Sequence, residues 1–253
     1  MAVTLSALTH RLLLTLKLPV RAQSLVETES ASTFFADATK SGLAAQVAQV
    51  LGQKLESSGD LQLSKVASVV LDAPLQTRQP AQVQASLLVL IYLDWREPQM
   101  VSSAQLGALQ LLLQGYFSRG LAPEWASIAP DSPLEMTLSL SRLELKLDLK
   151  GHDWGQETLV HYVVQTDVEN GWMGEIEAWY DKEHMPGLAA VPGCRSAQRL
   201  INHDNGPRSY ACYDLVSADV LTSSPWMAVR GTAWSSMARP HFVNPQRWVM
   251  RAL

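Results

Sequence analysis

Residues 157–168, ETLVHYVVQTDV, are dense in β-branched and aromatic side chains and predict a strand, and the elements after that strand decide the fold. Residues 170–190 place Trp172, Ile176, Trp179 and Tyr180 at helical spacing, so a helix comes next. Pro192-Gly193 breaks it and opens an extended segment over 193–203, and a turn at Asn205-Gly206-Pro207 leads into an alternating strand over 208–216. Ser217, with Asp219 in the first turn behind it, starts a second helical region that Pro240 ends. Residues 246–253 (QRWVMRAL) alternate again. The order is β-α-β-β-α-β in about a hundred residues, the split βαβ or ferredoxin-like arrangement.

The first half repeats that order without repeating the residues. Leu12, Leu14, Leu16 and Leu18 alternate with polar side chains as in a strand, and residues 33–55 carry Leu43, Val47, Val50 and Leu51 at helical spacing. Residues 61–71 and 83–95 are strand-like, 106–117 helical, and 136–149 (MTLSLSRLELKLDL) alternate again. The prediction is an α+β protein of two tandem ferredoxin-like βαββαβ modules, residues 1–152 and 153–253. A sheet with helices on one face leaves the other bare, and a second such sheet covers it, giving a pseudo-dimeric α+β barrel within one chain.

The 253 residues are 47% hydrophobic and 17% charged, a folded globular composition that excludes disorder, collagen and coiled coil. A net charge of −4 leaves no basic excess for a phosphate backbone, so nucleic acid is not an expected partner. The apolar start of the chain is interrupted by His10, Arg11 and Lys17, which fits neither a secretory signal nor a membrane span; no membrane partner and a cytoplasmic location are expected. The two cysteines, Cys194 and Cys212, fall on neighbouring predicted strands. Cys212 lies opposite about residue 199, leaving Cys194 about 15 Å away, too far for a disulfide. No metal motif is present and no metal site is expected.

Residues 177–193 (EAWYDKEHMPGLAAVPG) resemble the run that ends the first helix in the EthD-like family of dimeric α+β barrel proteins. Residues 196–199, 210–215 (YACYDL), 223–226 (SSPW) and 232–242 (TAWSSMARPHF) are similar to that family's later segments. The resemblance covers the last hundred residues or so, roughly one module. Cys194 stands where these proteins often carry Phe, a loss of volume that would reshape nearby space. The resemblance implies a fused pseudo-partner in the first half and one functional pocket per chain.

His184 lies four residues after Tyr180 and three after Asp181, so on a continuing helix the three share part of one face, where an imidazole can exchange a proton with a substrate. They are the candidate catalytic residues. A histidine just before Met185-Pro186-Gly187 equally suits a helix C-terminal cap, and Tyr180 on the apolar stripe equally suits core; both readings stand. Glu183 is read as a surface carboxylate, His161 as a satisfied core histidine, and His203 as exposed at a turn. Six of the eight tryptophans fall after residue 152, and Trp226, Trp234, Trp179 and His241 are the candidate substrate-binding residues. Of the eight basic residues after His152, seven are arginines; Arg195 and Arg199 share a strand face that suits either a carboxylate or phenolate substrate or a salt-bridged surface.

These residues, with the chemistry implied by the resemblance, predict a cofactor-independent enzyme. It would use histidine-assisted proton transfer (decarboxylation, dehydration, isomerisation or oxygenation) on an aromatic, polyketide-like or lactone compound. A non-catalytic small-molecule-binding subunit, and a haem-binding barrel with His184 or His241 as axial ligand, are the alternatives. The expected partner is an aromatic or lipophilic small molecule, and the chain is expected to be a monomer or a further homodimer.

Overall fold

The computed structural model describes residues 10–21, 61–71, 84–95, 101–128, 136–204 and 206–252. These fall into two compact units, whose boundary lies between Ser141 and Arg142. The strands of the first are β1 (His10–Arg21), β2 (Leu61–Leu71) and β3 (Gln84–Trp95), followed by helix α1 (Ser103–Ile128) and by β4 (Thr137–Lys150), which runs across the boundary. The second continues with β5 (Val160–Val168), α2 (Met173–Trp179), a π-helical turn (Tyr180–His184) and α3 (Met185–Ala189). It closes with β6 (Cys194–Asn202), β7 (Ser209–Leu215), a 3-10 turn (Ala218–Thr222), α4 (Ser224–Arg230), α5 (Ala233–Ala238), a 3-10 turn (Arg239–His241) and β8 (Phe242–Ala252).

In the second unit the strand order is β8-β5-β7-β6-β4, and every neighbouring pair is antiparallel. Its last four strands have the order of the split βαβ arrangement: β5 and β6, joined through α2 and α3, leave room for β7 between them. Alternation then sorts side chains between faces. On β5, Tyr162 and Val164 point under the helices and His161, Val163 and Gln165 point away. A bulge between Cys194 and Ser196 brings both Cys194 and Ala197 to the helix face, which strict alternation would forbid. The core under the helices contains Val164, Ala197, Ala211, Tyr213 and Leu215 from the sheet and Ile176, Trp179, Met185, Leu188 and Trp226 from the helices.

The far face carries a buried polar ladder across three strands. His161 Nδ1 lies 2.8 Å from Asp214 Oδ1, and Ser196 donates its hydroxyl to Asp214 Oδ2 at 2.9 Å. His161 is thus a partnered, buried histidine, as its sequence context suggests.

Local chemistry fixes the connections. Gly193, at φ +89°, gives its N–H to the Asp153 carboxylate, and a Cβ there would sit 2.4 Å from Val220 Cγ2, so only glycine serves both the turn and the packing. Ser223 and Thr232 cap α4 and α5 by accepting from the N–H groups of Trp226 and Ser235. A Cβ on Gly187 would meet Val229 Cγ1 at 2.9 Å, which is how closely α3 approaches α4.

Several boundaries differ from expectation. The single helix expected over 170–190 is two α-helical pieces joined by the π turn, and the second helical region is likewise divided. β8 begins at Phe242 rather than 246, and α1 runs through residues 103–128 rather than 106–117. Cys212 pairs with Gln198 instead of 199, and both cysteines are buried thiols outside any disulfide.

In the first unit β3 lies between β1 and β2, and β2 pairs antiparallel with β3 from Leu61↔Trp95 to Leu71↔Ser86. Leu12, Leu13 and Leu14 are all buried, so β1 is covered on both faces, not on the one face that alternate leucines imply. The helix expected over 33–55 lies outside the described residues. Among the described residues, no helix is long and apolar enough to cross a membrane.

Candidate active site

A small cavity of about 30 Å3 lies between the helices and the sheet of the second unit. Its aromatic wall is Trp179 and Tyr180 from the first helical segment, Tyr162 and Tyr213 from the sheet, Trp226 from α4, and Phe242 at the start of β8. Among the described residues His184 is the one histidine that lines it, and Arg230, Arg239 and Arg247 also line it. Among the described residues, none that lines it is acidic.

The π turn puts His184 there. The Met185 N–H bonds back to the Tyr180 carbonyl, five residues earlier, instead of four. This wider turn buries both Tyr180 and His184 while Asp181 and Lys182 face solvent. The helix continues through α3, so His184 is not at a helix end and does not serve as the C-terminal cap that its position before Met185-Pro186-Gly187 suggests.

The imidazole is 8% exposed and lies against Trp179, ring centroids 4.1 Å apart at 24°, with the Tyr180 ring edge-on at 5.7 Å. Trp179 is fixed by its indole N–H, which donates to Ser235 Oγ at 3.3 Å. His184 Nδ1 is buried without a hydrogen-bond partner, as is the Tyr213 hydroxyl. Burial, reinforced by the charges of Arg230 and Arg239, pushes the His184 pKa down to about 3. The ring is therefore neutral across the physiological range, with a nitrogen available to accept a proton or donate a hydrogen bond. Burial pushes the Tyr180 and Tyr213 phenols well up, and both stay protonated. Burial also raises the Tyr162 phenol, against the opposing pull of Arg230, Arg247 and Arg239.

Asp181 is not beside His184. It accepts from Arg199 Nε at 2.9 Å, and Glu177 accepts from the same buried guanidinium at 3.3 Å. Arg199 thus ties the first helical segment to β6, the salt-bridged alternative of the two open for it, and Asp181 supports the helix carrying His184 without touching the imidazole. Arg195 lies over the Trp154 ring and donates to the Gln156 carbonyl. Trp226 and Trp179 line the cavity; Trp234 does not, its indole N–H donating to Glu175 Oε1 at 2.7 Å. His241 also stands outside it, stacked on Trp172 at 3.3 Å with Nδ1 2.6 Å from Glu169. Glu183 accepts from the Thr232 hydroxyl at 2.6 Å, and exposed His203 lies 3.0 Å from Glu144. Cys194 is sealed in the core, its thiol pushed up to about 12 chiefly by burial, and does not line the cavity.

A porphyrin does not fit this cavity, and His241 is already held on both ring face and Nδ1. Among the described residues no group of three or more His, Cys, Asp or Glu is placed to hold a metal ion. Sequence reasoning missed Arg230, Arg239 and Arg247 as lining residues, although the abundance of arginine in this half was visible. It also missed Tyr162, whose place two residues before Val164 on one strand puts both on the cavity face.

No protein-family model matches the chain, and no curated protein does. Solved structures are similar to it over most of its length. One is a protein from Fusobacterium nucleatum provisionally named a monooxygenase, at 8% identity and TM-score 0.49, covering 96% of this chain and 92% of that one. An anthrone oxidase-like protein is similar at 14% identity and TM-score 0.47, with 96% and 91% covered. A chlorite dismutase variant from Candidatus Nitrospira defluvii stands at 10% identity and TM-score 0.47, with 96% and 90% covered.

Proposed function

We propose that this protein is a cofactor-independent small-molecule enzyme in which His184 moves a proton on an aromatic, polyketide-like or lactone substrate. The observation that carries the reading is the buried, neutral His184, with Nδ1 unpartnered, facing an aromatic cavity. A native fold seldom leaves a buried nitrogen unsatisfied without a use for it. A neutral imidazole can take a proton from a carbon acid beside a carbonyl, leaving an enolate, or from a phenol, leaving a phenolate, and return it elsewhere on the substrate. Dehydration, isomerisation and cofactor-free oxygenation pass through such an anion; decarboxylation reaches it by loss of CO2 and then takes a proton from the imidazolium. Trp179 and Tyr180 hold the ring in place, and Trp226 and Tyr213 exclude water. Residues 153–253 act as an EthD-like ferredoxin-like module and residues 1–152 as its degenerate tandem partner in an intrachain α+β barrel. The β1-β3-β2 order, which repeats the β5-β7-β6 order, supports the repeat.

The cavity has room for about two water molecules, so a ring-sized ligand enters by displacing side chains at its edge. A thermal-shift screen with aromatic acids, lactones and polyketides, followed by exchange of each bound ligand's acidic C–H in heavy water by NMR, tests the proposal. Exchange that is lost in His184→Gln while binding persists is the expected outcome. Binding without exchange, unchanged in His184→Gln, would make the protein a ligand-holding accessory subunit instead.

A further inference from the structure

Three cations stand around an aromatic cavity, and among the described residues no anion balances them. Arg230 sits in the last turn of α4, Arg239 opens the 3-10 turn before β8, and Arg247 pairs across the sheet with Val164, on the face that lines the cavity. All three line the same cavity. They sense one another: burial lowers the Arg239 pKa, and Arg230 and Arg247 lower it further. Their own partners are neutral. Arg239 Nη1 donates to the Arg230 carbonyl at 3.1 Å, and Arg247 reaches the Tyr162 phenol.

Two other arginines of this unit are treated differently. Arg142 is matched to Asp204 at 2.6 Å and Arg199 to Asp181 and Glu177. Arg230 and Arg239 are half-buried and Arg247 is exposed at the cavity edge; like charges held this close cost stability, and where Arg142 and Arg199 have carboxylate partners these three have none among the described residues, which leaves them for something that arrives from outside.

We infer that Arg230, Arg239 and Arg247 form an anion site that holds the carboxylate of an aromatic acid whose ring enters the cavity against Trp179 and Trp226. This names the substrate class of the site proposed above and rests on that reading. Guanidinium forks match a planar carboxylate in geometry as well as charge, and the low-dielectric cavity beside them strengthens the pairing. A carboxylate bound here also offsets the charges of Arg230 and Arg239, which add to the larger effect of burial in lowering the basicity of His184.

Calorimetric titration of the whole chain with benzoate and phenylacetate, against benzamide and phenylacetamide, is the test. Pentafluorophenolate against pentafluorobenzene distinguishes phenolate from carboxylate. The acids are expected to bind at least about tenfold more tightly than their amides, with a preference that shrinks as salt is raised. Arg239→Gln and Arg247→Gln should each reduce acid binding toward the amide level and leave amide binding unchanged. Amides that bind as well as acids, or an acid preference that survives these substitutions, overturn the anion site while the small-molecule cavity stands. A phenolate preferred over the carboxylates overturns the carboxylate assignment. If neither acids nor amides bind, the small-molecule reading falls and takes the anion site with it.

Discussion

Lowering the pH should destabilise this protein through one side chain, His184. Its folded pKa lies near 3 against an ordinary value of 6.5, so the unfolded chain takes up the proton first. The contribution is intact above about pH 6.5 and is lost progressively as the pH falls toward about 3. Each pH unit inside that window costs about 1.4 kcal/mol, so the step from neutrality to about pH 5 removes about 2 kcal/mol. The ceiling is about 5 kcal/mol, and the acid end of the range involves other groups such as Asp204, whose carboxylate Arg142 holds below its ordinary value. Urea unfolding at both pH values, in wild type and in His184→Gln, isolates the histidine because the other carboxylates cancel in the difference. His184→Phe repeats the comparison with a ring that still stacks on Trp179. The wild type should lose about 2 kcal/mol more than either variant. Equal losses in all three proteins would mean that His184 titrates normally, and the neutral-base reading would go with it.

Gly193→Ala should destabilise the unit by more than about 1 kcal/mol, since alanine at φ +89° is strained and its Cβ collides with Val220; thermal unfolding measures it. Trp226→Ala, which empties the wall between Tyr162 and Tyr213, should cost about 3–5 kcal/mol by chemical denaturation. Arg230→Gln relieves repulsion without breaking an ion pair, so its melting temperature should match or exceed that of the wild type. A clear drop would show that Arg230 has a stabilising partner. The same substitution should raise the His184 pKa, read from its imidazole resonances in NMR titration.

The strands were legible because alternation survives in their composition. Residues 136–149 read as a strand from sequence, and β4 occupies Thr137–Lys150. The bulge at Cys194 and the π turn at Tyr180–His184 were not, because an extra residue in a ladder or a helix changes hydrogen-bond register without changing residue type. That explains Asp181. Its three-residue spacing from His184 implies a shared face only on an α-helix, and the wider turn sends it to Arg199 instead. Trp179, Tyr180 and His184 were recognisable from one local run. Arg230, Arg239 and Arg247 come from three elements, and only tertiary closure brings them to one rim.

The π turn also sets α2 and α3 in independent phase. On a regular helix, the angle at which Trp179 meets the sheet would dictate the angle at which Leu188 does, since each residue advances the helix by about 100°. Five residues spanned by one hydrogen bond act as a spacer between two gear wheels, so each half meshes with its own neighbours. An insertion of one more residue within 181–183 would rotate α3 by about 100°, away from Val229 and the core, leaving Ile176 and Trp179 where they are. Chain length in this short run, more than the identity of its exposed side chains, is what the fold has to keep.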